Sequence, residues 1–303
     1  MVSRVFKYKL GPVFFLCALL VGIMAGGPMA QAQVPVNVTI SGEVGDEDEG
    51  IQGATVGVYD VANDPKDTDI TNGQGQFELN FVVNIPDAED AVWLYPGVRQ
   101  DDGVYVRTYG PFAAISKSDD PVNITDVELA LFEKELIDSI LNEVDEVAED
   151  VDPNLGLVAG VVEIEIDDPQ GGDDLRALDG ATVTWTDLNG DPVNAELIYF
   201  GEDPEEAGEP GALDSSLTAT SGSGAFLLYN IALLGDTQQQ DLIVTATKSG
   251  YTIPPVRVRA FPYAGEEYNA ITFADFMGSE GGAAPAGDGG GGGGGCFIST
   301  AGR

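Results

Sequence analysis

The residues best suited to chemistry form a short polar run, Asp187-Leu188-Asn189-Gly190-Asp191. Asp187, Asn189 and Asp191 recur at i, i+2 and i+4, the spacing at which side-chain oxygens gather around calcium. The run then departs from a calcium loop. Gly190 stands at i+3, Pro192 takes the usual glycine place, and Ile198 stands where a bidentate glutamate would close the shell. It is not an EF-hand. Asn189-Gly190 also reads as a two-residue hairpin turn between the strand at 182 to 185 and the next one, which gives these side chains no metal to hold. A calcium site made by this turn with a second acidic loop stays open. Asp46-Glu47-Asp48-Glu49 and Asp167-Asp168 are further candidates, with solvated loop charge as the simpler reading of each.

Other chemistries are excluded by what the chain lacks. There is no histidine, which removes Ser-His-Asp and Cys-His nucleophiles, His-ligated zinc and a histidine base together. No Ser-x-x-Lys pair, G-x-S-x-G elbow or P-loop is present. A glycosidase needs two carboxylates about 5 to 10 Å apart. Among 51 acids some pair meets that by chance, but two small domains filled by their own strands leave no cleft for a sugar. The expectation is therefore a protein without catalytic residues and without a required cofactor, calcium being the one ion left open.

Charge narrows the partners. Thirteen Lys and Arg stand against 51 Asp and Glu in 303 residues, a net charge of −38. Such a surface repels nucleic acid and anionic membrane, which are bound by Lys and Arg releasing counterions. Divalent cations, basic proteins and neutral polymers remain, so the expected partner is a protein or polysaccharide. The plainer reading is that the acids keep an exported protein soluble.

The two ends give an address. Arg4, Lys7 and Lys9 precede an apolar run from Leu10 to Ala25, and Ala30-Gln31-Ala32 supplies a small-x-small cleavage site. Residues 1–32 are read as a signal peptide, cut between Ala32 and Gln33. A retained anchor is disfavoured, because Gly11, Pro12 and Gly22 break the run. With Cys17 removed, Cys296 is the remaining cysteine, so no intrachain disulfide can form. Residues 278–303 form a glycine-rich flexible tail ending in Cys296-Phe297-Ile298-Ser299-Thr300-Ala301.

Between the ends, three phrases occur twice in one order. Ile40 to Val44 and Val158 to Val162 share apolar-x-Gly-x-Val. Gly53-Ala54-Thr55-Val56 returns as Gly180-Ala181-Thr182-Val183. Thr71-Asn72-Gly73-Gln74-Gly75-Gln76-Phe77 returns as Thr220-Ser221-Gly222-Ser223-Gly224-Ala225-Phe226. This is a duplicated unit, spanning 33–131 and 155–277. Alternating apolar runs such as Val34, Val36, Val38 and Ile40 predict six or seven short strands per copy, the pattern of an antiparallel sandwich. The glycines at 73 and 75, and at 222 and 224, permit the positive φ of a tight turn, with the following Phe in the core.

Residues 132–154 break that rhythm. Phe132, Leu136, Ile140 and Val144 recur at helical spacing, predicting an amphipathic helix over about 132 to 149 that packs on a neighbouring sandwich. Its acidic last turns oppose the helix dipole, so that end should fray unless docked. The second copy carries 22 extra residues between its two hallmark phrases, around Ile198 to Asp214, expected to form a long acidic loop with Glu202, Asp203, Glu205, Glu206 and Glu209.

The three phrases, with Lys248-Ser249-Gly250-Tyr251 after them, resemble the carboxypeptidase regulatory-like domain, a prealbumin-like fold. The resemblance covers most of both copies and implies two Ig-like Greek-key sandwiches in which the motifs serve the fold alone. It also implies an accessory module of secreted or surface proteins. The glycine run leading into Cys296 resembles the tail of many exported bacterial proteins, implying a thiol that is processed or tethered, or a truncated remnant. Sequence thus predicts a mainly β chain, two antiparallel Greek-key sandwiches joined by a helix, exported to a bacterial cell surface as a non-enzymatic adhesion or structural module. The rival is a calcium-dependent module binding carbohydrate or protein, and a two-carboxylate enzyme is third.

Overall fold

A computed structural model describes residues 33–46, 49–167, 173–203, 210–235, 238–264 and 270–280. Ala32 and the rest of the leader, Cys296 and the tail from residue 281 onward, and parts of the 46–49 and 167–168 acidic runs lie outside these residues, while Gly278 to Glu280, expected in the flexible tail, are strand paired to Tyr251 and Thr252. Gln33 opens the first strand.

The first half contains β1 (Gln33–Asp46), β2 (Glu49–Gly50), β3 (Thr55–Asp60), β4 (Pro65–Ile70), β5 (Gln76–Pro86), β6 (Ala91–Arg99), β7 (Arg107–Tyr109), β8 (Ala113–Ser116) and β9 (Val122–Ala130). Helix α1 (Lys134–Val147) follows. The second half contains β10 (Gly156–Asp167), β11 (Asp173–Ala177), β12 (Thr182–Thr186), β13 (Glu196–Glu202), β14 (Pro210–Asp214), β15 (Ala225–Ile231), β16 (Gln240–Thr247), β17 (Tyr251–Thr252), β18 (Val256–Pro262) and β19 (Ala270–Glu280). The molecule is mainly β, with sandwich-like sheets.

Alternation builds two apolar layers. Val36, Val38 and Ile40 on β1 meet Phe77 and Leu79 on β5 and Val56 and Val58 on β3 in one cluster. Val158 and Val162 on β10 meet Phe226 and Leu228 on β15 and Leu242 and Val244 on β16 in the other. The sheets are not purely antiparallel. β1 pairs β9 in parallel, and β10 pairs β19 in parallel. Hairpin turns force antiparallel neighbours only between strands close in sequence; the first and last strands of each half are joined by a long crossover that leaves either direction open.

The repeated phrases explain themselves once docked. Thr71 Oγ1 donates to Ile51 O at 2.6 Å and accepts from Ala54 N at 2.9 Å. Thr220 Oγ1 does the same, to Leu178 O at 2.5 Å and from Ala181 N at 2.9 Å. Each phrase clasps the other through one buried hydroxyl. Of the two glycines per phrase, Gly75 (φ 77°) and Gly224 (φ 67°) take positive φ. Gly73 and Gly222 do not, so one glycine per phrase uses that freedom. A Cβ at Gly75 or Gly224 would stand 2.4 Å from Val44 O or Val162 O.

Two further expectations are corrected, and the expected packing of the helix is seen. The 22-residue insertion is a hairpin in its described part: β13 pairs β14, with Phe200 opposite Leu213. Its apolar residues Ile198 and Leu213 are buried, and burial overrides the acidity of the flanking sequence. α1 starts two residues later and ends two earlier than the pattern predicts, and it is docked. Ile137, Leu141 and Val144 pack on Leu227, Tyr229 and Ile271, while Glu143 Oε1 accepts from Leu213 N at 2.9 Å. Nor are the halves joined by the helix alone, since Ala270–Thr272 of β19 pairs in parallel with Arg107–Tyr109 of β7.

Candidate functional site

Asp187, Asn189 and Asp191 do come together, as a turn. Asp187 Oδ1 accepts from Asn189 N and Asp191 N, both at 2.8 Å, and Asn189 Nδ2 donates to Asp187 Oδ2 at 3.2 Å. Gly190 N donates to Asp187 O at 3.1 Å and Gly190 sits at φ 87°. The amide of Asp191, then those of Asn189 and Gly190, holds the Asp187 carboxyl below the usual range. Asn189 is absent from the positive-φ residues, so this is not the two-residue turn read from Asn189-Gly190. Nor does it join paired strands, for β12 pairs β16 while β13 pairs β15. The physical reason is the Asp187 side chain, which caps the loop itself and frees the chain to change sheets. Among the described residues no group of three acidic, Cys or His side chains is arranged around a metal position.

A groove of about 640 Å³ lies on the outer face of the first half. Glu43, Asp69, Glu78, Asp126 and Glu128 line it with Ser41, Asn72 and Gln76, and none of its lining residues is a base. β4 contributes by its side chains: Asp69 Oδ2 accepts from Glu78 N at 2.8 Å and Asp67 Oδ2 from Asn80 N at 2.7 Å. Two aspartates thus satisfy the edge of β5, where the second half uses β13 as a paired strand. Arrayed acceptors of this kind suit donors such as basic or hydroxyl groups.

The second half holds a site that sequence reasoning missed. Asp275 lies on β19 opposite Val161 of β10, with Glu163 two residues further along the same face. Asp275 is fully buried, and among the described residues neither of its carboxylate oxygens has a hydrogen-bond partner; Glu163 Oε2 is likewise buried and, among these residues, unpartnered. Burial, and then the charge of Glu163, pushes the Asp275 carboxyl up to about 7. Burial also raises Glu163. The available signal was a lone acid inside the apolar run Phe273-Ala274-Asp275-Phe276.

The seam between the halves is built on a second missed group. Arg259, 4 % exposed at its side chain, donates Nε to Asp241 Oδ1 at 2.5 Å and Nη2 to Asp241 Oδ2 at 3.1 Å. The same Nη2 reaches Val61 O at 2.9 Å in the first half, and the guanidinium stands 5.2 Å from the ring centres of Tyr95 and Phe112. Arg257 shares Asp241 at 2.7 Å and covers Phe112 at 4.3 Å. Tyr109 stacks on Phe261 at 4.2 Å. Burial opposes the Arg259 charge, but hydrogen bonds to Asp241 and its charge outweigh that and hold the guanidinium protonated. One carboxylate and two guanidiniums, enclosed by aromatics, fix the halves together. No helix of the described residues is long and apolar enough to cross a membrane.

No family model matches the chain, and no curated protein matches it. Among solved structures it is similar to the shaft pilin SpaA of Lactobacillus rhamnosus GG, at 13 % identity over 83 % of this chain and 100 % of that one, with a TM-score of 0.24. The minor pilin GBS52 of Streptococcus agalactiae gives 13 % identity, 82 % and 98 % coverage and a TM-score of 0.26. The Bacillus anthracis TIE protein gives 12 %, 80 % and 34 %, and 0.24. TM-scores of this size do not establish a shared fold.

Proposed function

We propose that the chain is an exported, non-enzymatic structural or adhesion module of the bacterial cell surface, made of two duplicated β units. The observation that carries this reading is the seam. Arg259 reaches Val61, 198 positions away in sequence, and pairs with Asp241 inside an aromatic enclosure. The motifs repeated in both halves are spent on the Thr71 and Thr220 clasps, so duplication multiplies a scaffold and not a reactive group. The open acid-lined groove of the first half offers a face for a protein or polysaccharide partner.

The test is protease treatment of intact producing cells, with turnover of polysaccharide, peptide and ester substrates measured on the purified chain. Release of the chain from intact cells, a loss of attachment on deleting it, and no turnover are expected. A chain that stays protected inside the cell, or turnover that survives purification, overturns the reading.

A further inference from the structure

Three buried carboxylate oxygens lie on one face of the β10–β19 pair, and nothing among the described residues donates to them. A buried acceptor without a donor is costly, and in a folded protein it calls for a water, a proton or an ion. Asp275 presents both oxygens and Glu163 one, from adjacent parallel strands whose register is fixed by eight consecutive pairs from Val158 to Glu165. The charge acting on Asp275 is that of Glu163; no Lys or Arg among the described residues acts on it. Glu163 is half-buried, so the pair opens to solvent on one side.

We propose that Asp275 and Glu163 form a calcium site, with water completing the shell at the Glu163 side. Calcium accepts a carboxylate through both oxygens and tolerates irregular shells with several waters, whereas magnesium demands a near-octahedral set. The ion neutralises two like charges that burial otherwise forces apart in protonation. It also ties the first strand of the half to its last. The Asp187 turn is the contrasting case: its oxygens are already occupied by the amides of Asn189 and Asp191. This inference is independent of the proposed surface role, because a cation can bind here whatever the chain does.

The experiment is calorimetric titration of the full exported chain with calcium chloride at pH 7.5 in physiological sodium chloride, with melting curves in calcium and in chelator. One calcium site is expected, weakened at least tenfold in Asp275→Asn and in Glu163→Gln and unchanged in Asp187→Asn. Binding should weaken as pH falls below 7, with the heat depending on the buffer, because calcium displaces a proton. Both variants are nearly isosteric, and a cooperative melt in either one suffices for the comparison. Absence of binding overturns the proposal, as does binding that survives both substitutions or that is lost in Asp187→Asn. A melting point insensitive to calcium but raised by Asp275→Asn at pH 8 also overturns it, since the pair would then hold a proton alone.

Discussion

The two halves place a carboxylate at the same point and treat it in opposite ways. Aligning Ile40 to Val44 with Val158 to Val162 sets Glu128 of β9 against Asp275 of β19, each opposite the fourth residue of its phrase, Glu43 or Val161. Glu128 lines an open groove with four other acids. Asp275 has no exposed surface at all. The strands are equivalent, so the difference lies in what adjoins the sheet. In the second half β13 and β14 widen it and α1 lies across it, burying Ile198, Leu213 and Leu227. In the first, β4 pairs with β3 and reaches the edge of β5 through Asp67 and Asp69. The insertion and the helix cover one face of the second sheet while an acid-lined groove lies open on the first, and across the halves Asp275 is buried where Glu128 is part-exposed, without any change in the motif that builds the strand.

The comparison is sharpest when the halves are read separately, and the change with the largest expected effect separates them. Asp241→Ala leaves the guanidiniums of Arg259 and Arg257, 4 % and 11 % exposed, without their shared partner. Stranding buried charge in this way costs about 3–5 kcal/mol. Chemical denaturation should show that loss, and the single transition should split as the seam opens; an unchanged midpoint would mean that the ladder between β7 and β19 suffices. Next comes pH. The folded Asp275 carboxyl is raised to about 7, above its unfolded value, so its stabilising contribution is complete in acid and is lost as pH rises to about 7. In chelator the loss should be on the order of 3 kcal/mol, read from urea midpoints at pH 5 and pH 8. Asp275→Asn should remove that slope. A slope that survives Asp275→Asn would reverse the assignment.

The duplication, the strand alternation and the helix were legible because each is written in local spacing. Phe77 and Phe226 fall at the same offset from their threonines, and Ile137, Leu141 and Val144 follow one face of α1. What was illegible depends on pairs far apart in sequence. The parallel partners of β1 and β10 return after long crossovers, and no local period records the direction of return. The Asp187 run reads equally as a calcium loop or a hairpin until β12 is seen to pair with β16. Arg259 looks like an ordinary surface charge in an alternating strand, and Asp275, though a lone acid in an apolar run, gives no sign of its partner. Only the register against β10, or the approach of Val61, reveals that they are enclosed.

A smaller effect tests where the halves agree. Thr220→Val and Thr71→Val each remove a buried hydroxyl while keeping its shape, leaving one amide and one carbonyl without a partner. Each should cost about 1–3 kcal/mol, and the two costs should match, because the clasps have the same donors and acceptors. Thermal melts of the two single variants check this. A much larger loss at Thr220 would show that the widened second sheet leans on its clasp more than the first does.

The smallest effect is the most discriminating for the comparison itself. Glu128→Gln at the rim of the open groove should change stability by no more than about 0.5 kcal/mol, the ordinary range for a solvated surface position. It removes one of the five carboxylates that line the groove, and whatever part of the change comes from like-charge repulsion should shrink as salt rises. The urea midpoint at low and high ionic strength measures it. A destabilisation of the size expected for a buried carboxylate would mean that Glu128 is enclosed as Asp275 is, and that the groove face of the first half is covered in solution. The solvated first half would then no longer serve as the reference for the second, and the contrast would have to be sought in the partner and not in the fold.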